Sequence, residues 1–350
     1  MEISLEPTQA KLAARELLIS AGCNKSVAER TSTGLWSTSM KGIDSHGLRL
    51  LPHYIKVLET KRINGNPKFN FIETGASTGK LDADHSFGHA AGVEAIKESI
   101  RLAHNSGIGA VSVGNSSHCG ALSYFAELAC NQDMIGLAFT HATPKVQIFN
   151  SKKVFFGTNP ICFAAPMLSE GPFCFDSAPT LFTFNKIRLY RDLGIHLPEG
   201  VAADGDGNET HDPQNAMQLL PIGQHKGFGL SMIVDILCAL LSSMPSGNNV
   251  SEMFGKDLST KRFLGQFFIA LKIEHFTDPK EFKERLQESE ESIRNLEPAS
   301  TDKKVMLPGD PEKNSWKKRI IEGIPLPETI LKEIQSYQKK YHTQEYRFTQ

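Results

Sequence analysis

The chain has 350 residues, in which 38 lysines and arginines nearly balance 39 aspartates and glutamates, for a formal net charge of -1. This balance argues against nucleic acid as the main partner, because nucleic-acid-binding proteins usually carry a basic excess. An apolar share of 40% with 22% charged residues argues against a disordered chain, and the length predicts two domains.

Six cysteines are scattered along the chain without a CxxC pair, which is typical of free thiols in a reducing compartment. The N-terminus lacks the basic region and apolar run of a secretory signal. The most apolar stretch, residues 230–241, contains Asp235 and is shorter than the roughly 20 residues of a membrane span. We therefore expect a cytoplasmic protein with no membrane partner.

The spacing of apolar residues predicts three helices near the N-terminus. They cover residues 8–21, 25–40 and 48–58. Thr8 is the expected N-cap of the first helix and Gly22 its expected stop. Pro52 fits the third helix only if it lies in the first turn.

Short strands and helices follow, which predicts a mixed α/β architecture. Strands are predicted at residues 71–74, 79–82, 108–113, 134–139, 161–166, 173–176 and 267–273. Helices are predicted at residues 92–105, 121–131, 226–241, 279–295 and 327–341. Residues 298–304 have the composition of a linker.

The first candidate site is the segment DSHGLR at residues 44–49, which places Ser45, His46 and Arg49 at a predicted helix start. A helix N-terminus favours bound anions and a neutral imidazole. Histidine exchanges protons near neutral pH, and the arginine fork matches a carboxylate. The residues alone leave open the alternative that Asp44 or Ser45 caps the helix and His46 lies on the surface.

The second candidate is His118, in the loop SSHCG at residues 116–120 that follows a predicted strand. Loops at the carboxyl end of a strand commonly bind ligands. The nearby glycines do not form G-x-G-x-x-G after a strand, which argues against a standard Rossmann motif. A capping or packing histidine is the alternative.

The third candidate is Lys226, which stands among glycines in the segment PIGQHKGFG at residues 221–229. At a helix start, its ammonium and the backbone amides together suit a phosphate. The absence of a Walker pattern argues against a nucleoside triphosphatase.

Two segments resemble metal sites only in part. Residues 204–208 (DGDGN) lack the later glycine and glutamate of a calcium loop, so we predict a polar hairpin turn there. Asp84, His85 and His89 have no matching further group of ligands in the sequence, so we predict no metal.

Seven segments taken together resemble the malate/L-lactate dehydrogenase family that is unrelated to the Rossmann-type enzymes. They follow the family order over nearly the whole chain, at residues 44–49 (DSHGLR), 115–120 (NSSHCG), 156–160 (FGTNP), 198–212 (PEGVAADGDGNETHD), 221–229 (PIGQHKGFG), 307–312 (LPGDPE) and 323–326 (GIPL). The family includes ureidoglycolate and L-sulfolactate dehydrogenases, diketogulonate reductase and piperideine-2-carboxylate reductase.

The resemblance implies an α/β (α+β) fold like that of L-sulfolactate dehydrogenase, with a largely antiparallel sheet in the cofactor domain. Residues 1–75 plus 305–350 would form a helical substrate and dimer domain, and residues 76–304 a non-Rossmann cofactor domain with a small helical lobe. The implied activity interconverts a 2-oxo acid, or a cyclic imine acid, with the 2-hydroxy or amino acid. The implied cofactor is NAD or NADP, and the implied assembly is a homodimer.

The resemblance also implies roles for individual residues. His46 matches the family's proton donor and Ser45 its hydrogen-bonding partner, while His118 matches a second histidine to which some members assign the acid/base role. Asp176 is implied as a catalytic residue near the cofactor and a histidine, and we expect Ser45 or Asp176 to orient the imidazole. Substrate contacts are implied at Arg49 and Tyr54. Cofactor contacts are implied at Thr140, Asp176, Ser177, Ala178, Lys226, Gly227, Pro308, Gly309 and Asp310.

The chain departs from the family pattern near these positions. Ser177 stands where methionine is usual, Gln224 where glycine is usual, and Cys119 where a bulkier residue is common. Pro179 removes a backbone donor in the same segment. These departures leave the substrate open. Two alternative functions therefore stay open. One is a metal-dependent hydrolase or lyase that binds its metal through the histidines, and the other is a non-catalytic nucleotide-binding relative.

Overall fold

The computed structural model describes residues 2–168, 171–255 and 257–343. Its helices are α1 (Pro7–Ser20), α2 (Lys25–Met40), α3 (Leu51–Glu59), α4 (Gly88–Ser106), α5 (Ser123–Cys130), α6 (Phe184–Leu193), α7 (His225–Asp235), α8 (Pro279–Arg294), α9 (Asp310–Glu322) and α10 (Glu328–Tyr341). Its strands are β1 (Glu2–Leu5), β2 (Asn70–Gly75), β3 (Thr78–Asp82), β4 (Ile108–Ser116), β5 (Met134–Thr140), β6 (Val146–Gln147), β7 (Val154–Phe156), β8 (Ile161–Ala165), β9 (Phe173–Ser177), β10 (Ala202–Ala203), β11 (Gln218–Leu219), β12 (Leu264–Lys272) and β13 (Ile324–Pro327).

The main sheet has seven strands in the order β2–β3–β4–β12–β5–β8–β9. Strands β3 and β4 run parallel, and each other neighbouring pair in this sheet is antiparallel. The long strand β12 lies between β4 and β5, although it follows them by more than 120 residues. The expected non-Rossmann, largely antiparallel architecture is confirmed.

Helices α4 and α5 cover one face of this sheet. Burying that face removes apolar surface from water, the main favourable contribution to folding. The core between helices and sheet includes Ile96, Leu102, Val111, Val113, Phe125 and Phe268. Helix α7 packs on the opposite face, where Val234 meets Phe139.

The two ends of the chain share a second core. Strand β1 pairs antiparallel with β13, with Ile3 opposite Leu326. The buried side chains there come from both ends and include Leu17, Leu18, Leu35, Leu51, Ile55, Ile324, Leu331 and Ile334. This shared core agrees with a domain built from both termini, while the boundaries at residues 75, 76, 304 and 305 stay a prediction.

A third, smaller cluster lies around α6 and a four-stranded sheet in the order β10–β11–β6–β7. Phe182, Ile187, Val201 and Leu219 are buried there. Residues 204–208 form the predicted polar turn, in which the Asp204 carboxylate accepts hydrogen bonds from the amides of Asp206 and Asn208.

Several element ends differ from the prediction. The N-cap of α1 is Glu6, whose carboxylate accepts from the amides of Thr8 and Gln9, so the prediction of a Thr8 cap is wrong. The glutamate side chain is long enough to reach both free amides, and Pro7 then fits the first turn. Pro52 lies in the first turn of α3, as predicted.

Two helices are less regular than predicted. Residues 48–50 form a 3-10 turn before α3 begins. The helix predicted to reach residue 241 changes after α7 into a π-helix over Ile236–Leu240. Within the part of the chain that the structure describes, no helix is both long and apolar enough to cross a membrane.

Candidate active site

The turn that carries Ser45 and His46 is fixed by contacts from two distant elements. Residues 44–46 form a 3-10 turn. A Cβ atom on Gly47 would lie 2.1 Å from Ser39 Oγ on α2, so a side chain there would displace the turn. From α9, the Arg319 guanidinium donates to both carboxylate oxygens of Asp44, at 2.5 and 2.7 Å. The histidine is therefore held on a fixed piece of backbone.

His46 and His118 lie side by side. Their rings stack with centroids 5.6 Å apart and an interplanar angle of 25°. Ser45 Oγ lies 2.8 Å from His46 Nδ1, and the Tyr54 hydroxyl lies 2.6 Å from His118 Nδ1. Each imidazole is thus oriented through Nδ1, which leaves Nε2 for another group.

Burial lowers the pKa of both imidazoles. The effect is larger at His118, where the neighbouring His46, His89 and Arg262 also oppose a further positive charge and place the pKa well below 6.5. Burial raises the pKa of the Tyr54 phenol well above 10, so this hydroxyl keeps its proton. Both histidines are therefore neutral near pH 7 before a ligand binds.

The loop of His118 rests on a third histidine. Gly120 has a left-handed φ of 71°, and a Cβ there would lie 2.6 Å from His89 Nε2. His89 is fully buried, burial lowers its pKa to about 3, and neither ring nitrogen has a hydrogen-bond partner among the described residues. His89 therefore acts as a neutral packing group. No three His, Cys, Asp or Glu side chains in the described ranges are grouped to hold a metal ion.

A cavity of about 730 Å³ lies beside the turn of His46, and several of the predicted cofactor contacts line it. Asp176 and Ser177 at the end of β9 line it, together with Pro308 and Gly309 before α9. Ile43, whose carbonyl accepts from the His46 amide, lines the same cavity. The cavity therefore reaches the backbone next to His46.

Asp176 faces the start of a helix at this cavity. Its Oδ2 accepts from the Ser123 amide of α5 at 2.7 Å, so the partner found here is a backbone amide and not the histidine that we expected it to orient. Burial raises the pKa of Asp176 to about 6, partly opposed by the Lys41 ammonium. Lys41 itself pairs with Glu127 at 2.7 Å.

Asp310 holds the loop at the start of α9. The Arg294 guanidinium donates to both its carboxylate oxygens at 2.7 Å, and the Leu307 amide donates to Oδ2 at 2.8 Å. Its carboxylate therefore positions the loop from Leu307 to Gly309.

The other predicted cofactor contacts lie outside the lining of this cavity. Lys226 is exposed at the start of α7. A Cβ on Gly227 would lie 2.6 Å from the backbone of Ile222, so Gly227 allows close packing. Thr140 is buried and donates to the Gly265 carbonyl at 3.2 Å, while Ala178 is half-buried and accepts from Ser177 Oγ at 3.1 Å.

The predicted substrate contacts take different positions. Arg49 is exposed on the 3-10 turn. Tyr54 is buried, and its hydroxyl contacts His118. Sequence reasoning missed Arg262, which is 5% exposed and lines a small cavity together with His53, Tyr54 and His118. No motif marks Arg262, because it approaches His118 only through the fold.

Two of the departures have visible consequences. Gln224 has φ 54° and ψ -107°, a conformation that is energetically unfavourable for any residue except glycine. This conformation explains why glycine is usual at this position in the family. The Pro179 carbonyl accepts from the Ile222 amide at 2.9 Å, so the segment around Pro179 packs on the loop before α7.

Comparisons with known proteins find relatives over nearly the whole chain. A sequence model described as malate/L-lactate dehydrogenase matches residues 5–335. A malate dehydrogenase of Pyrococcus abyssi is 33% identical, over 91% of this chain and 89% of that protein. An NAD(+) ureidoglycolate dehydrogenase of Escherichia coli K12 is 30% identical, over 93% and 94% of the two chains. The solved malate dehydrogenase of Entamoeba histolytica superposes with a TM-score of 0.93 at 27% identity and covers 99% of both chains.

Proposed function

The chain belongs to the malate/L-lactate dehydrogenase family, and on that premise we propose that it interconverts a 2-oxo acid and its 2-hydroxy acid with NAD or NADP. The observation that carries this proposal is the stacked pair of His46 and His118, each oriented at Nδ1 by a hydroxyl. Such a pair supplies the proton that carbonyl reduction requires. A cyclic imine acid fits the same chemistry, with nitrogen in place of oxygen.

The cavity beside Asp176 supports the cofactor part of the proposal. Its volume of about 730 Å³ is within the range of roughly 300–1,000 Å³ that is typical of ligand sites. The start of α9 contributes Pro308 and Gly309 to its lining, and a helix N-terminus favours phosphate. A reduced nicotinamide supplies the hydride when bound. At the start of α7, the exposed Lys226 is a second candidate phosphate contact.

We assign the proton transfer to His118. The Tyr54 hydroxyl occupies its Nδ1, and its ring borders the cavity that contains Arg262. An anionic substrate bound beside His118 would raise its pKa and favour uptake of a proton. His118 Nε2 then gives this proton to the oxygen as C2 receives hydride, and the reverse reaction returns it. General acid catalysis of this kind contributes on the order of 10²–10⁴-fold.

We further propose that the chain forms a homodimer. The segment from α7 through the π-helix exposes a run of large apolar side chains, Leu230, Met232, Ile233, Ile236, Leu240 and Leu241. Several large apolar side chains exposed on one segment are typical of an interface. Light scattering after size exclusion should give a molar mass twice that of one chain. The Ile233→Glu variant should lower the measured mass towards that of a single chain. The cytoplasmic location stays a prediction.

One assay tests the proposed activity. The absorbance of NADH and of NADPH is followed with a panel of 2-oxo acids and cyclic imine acids. Turnover of at least one acid, with a preference for one cofactor, is the expected result. Cofactor binding without turnover of any acid would contradict the proposal and favour a non-catalytic relative.

A further inference from the structure

Two buried arginines line the small cavity beside His118. Arg62 and Arg262 are 4% and 5% exposed and line the same small cavity as His118. The Nη1 and Nη2 atoms of Arg62 donate to the carbonyls of Glu252, Met253 and Asp257 at 2.6–3.2 Å, while its buried Nε has no hydrogen-bond partner among the described residues. Arg62 therefore has a structural role in the loop that contains those residues.

Arg262 has far fewer partners. Its Nη2 donates to Thr143 Oγ1 at 3.1 Å, and its buried Nε has no hydrogen-bond partner among the described residues. No described carboxylate forms an ion pair with it, and Glu252, the acidic group that favours its charge, is exposed. Burial and the neighbouring Arg62 lower its pKa to about 10, so it stays charged at neutral pH. A buried cation without a paired anion is costly.

We infer that Arg262 binds the carboxylate of the substrate at the small cavity that it lines together with His118 and Tyr54. This inference rests on the proposed function and assigns its anion contact to Arg262 instead of Arg49, which is exposed on the outer turn. A guanidinium fork matches a carboxylate in shape and charge. The bound carboxylate would supply the missing counter-charge.

The position of Arg262 also fits the chemistry at His118. In a 2-oxo acid, the carboxylate carbon is bonded directly to the carbonyl carbon. A carboxylate held at Arg262 therefore brings the reacting carbonyl to the neighbouring imidazole. The cavity is only about 10 Å³, room for roughly one water molecule. The flexible Met253 side chain on the cavity wall therefore has to move before the carboxylate end of a small acid enters.

The test measures binding without turnover. Calorimetry gives the dissociation constant of oxamate, an unreactive carboxylate analogue, on the protein loaded with NADH, for the wild type, Arg262→Met, Arg262→Lys and Arg49→Met. We expect Arg262→Met to raise the dissociation constant of oxamate at least about 30-fold, because a charged hydrogen-bonded partner is lost. Arg262→Lys should raise this dissociation constant less, since lysine keeps the positive charge but lacks the planar guanidinium. The surface variant Arg188→Met controls for loss of an exposed arginine.

Two further readouts separate binding from folding. The NADH dissociation constant should be unchanged in Arg262→Met, and its thermal midpoint should equal or exceed that of the wild type, because an unpaired buried cation has been removed. Oxamate affinity within about twofold of the wild type in Arg262→Met, or a large loss only in Arg49→Met, would overturn the inference. The protein could also bind oxamate in an Arg262-dependent way and yet turn over no acid in the activity assay. That result would support the anion site and contradict the proposed activity.

Discussion

The Tyr54 hydroxyl lies 2.6 Å from Nδ1 of His118. Tyr54 comes from the buried face of α3, and His118 from the loop after β4. The contact links the helical part of the molecule to the main sheet at the candidate active site. It also fixes the imidazole plane that stacks on His46.

We expect Tyr54→Phe to impair catalysis without loss of cofactor binding. Removing the hydroxyl leaves His118 Nδ1 without this partner, which costs about 1–3 kcal/mol for a buried group. Because we expect this hydrogen bond to orient the imidazole in the transition state, a loss of this size there lowers kcat/KM by about 5- to 150-fold and shifts the pH profile. Steady-state kinetics over a pH series measures both effects. An unchanged pH profile would show that Tyr54 does not position His118.

Replacing the two histidines separately tests the assignment of proton transfer. His118→Gln should lower kcat/KM by on the order of 10²–10⁴-fold, because the proton donor is lost. His46→Gln should have a smaller effect, because it removes a stacked neighbour. The NADH dissociation constant, measured by fluorescence, should stay near the wild-type value in both. A larger loss in His46→Gln would move the proton donor to His46.

The ion pair between Asp44 and Arg319 should stabilise the active-site turn. Arg319 holds Asp44 through two hydrogen bonds and also donates to the Ser39 carbonyl. Lysine cannot reproduce this fork, so Arg319→Lys should lower the free energy of unfolding by about 1 kcal/mol. Denaturant titration measures the change. Lys318→Gln, which breaks an exposed pair with Glu322, is the matched control and should change stability by less than about 0.5 kcal/mol.

Asp176 should make stability depend on pH in a defined direction. Its pKa is raised to about 6 in the folded protein, against about 3.9 in an unfolded chain. Between these values the folded state holds more protons, so the contribution of Asp176 to the free energy of unfolding falls as the pH rises to about 6 and then levels off.

Asp176→Asn should remove this dependence. The variant should gain stability relative to the wild type between pH about 4 and about 7, by up to about 2 kcal/mol. Denaturant titrations of both proteins across this range give the difference, in which contributions from other groups cancel. A difference that stays constant with pH would contradict the raised pKa.

Gln224→Gly should stabilise the start of α7. Gln224 adopts φ 54° and ψ -107°, which glycine reaches without the steric cost of a side chain. Because glycine also increases the entropy of the unfolded chain, the expected net gain is up to about 1 kcal/mol, measured by thermal unfolding. Gln287→Gly, in the middle of the exposed helix α8, should instead destabilise by about 1 kcal/mol.

The sequence predicted much of the element order, because helices and strands leave local signals. The apolar stripe of α4, the position of Pro52 in α3 and the polar turn after β10 are each set by a few neighbouring residues. The start of α1 and the π-helix after α7 were not predicted. At the start of α1, Glu6 and Thr8 are both local cap candidates, and the structure selects Glu6, whose carboxylate accepts from the amides of Thr8 and Gln9. The apolar sequence of residues 236–240 gives no signal that separates a π-helix from an α-helix.

The candidate site shows the same division. The ordered segments from DSHGLR to GIPL were sufficient to indicate the family, and with it His46, His118 and the loop before α9. They did not show that Asp176 meets the Ser123 amide or that Asp310 pairs with Arg294. Such partners lie on other elements, and a hydrogen bond between distant segments leaves no periodic signal.

The residue types that can carry proton transfer were therefore fixed by the sequence itself. Only the tertiary structure stacked His46 on His118, placed Tyr54 at Nδ1 and buried Arg262 beside them. The reason is physical: acid strength and anion binding depend on burial and on charges within a few ångströms, and these distances exist only after the helical ends and the main sheet have packed together.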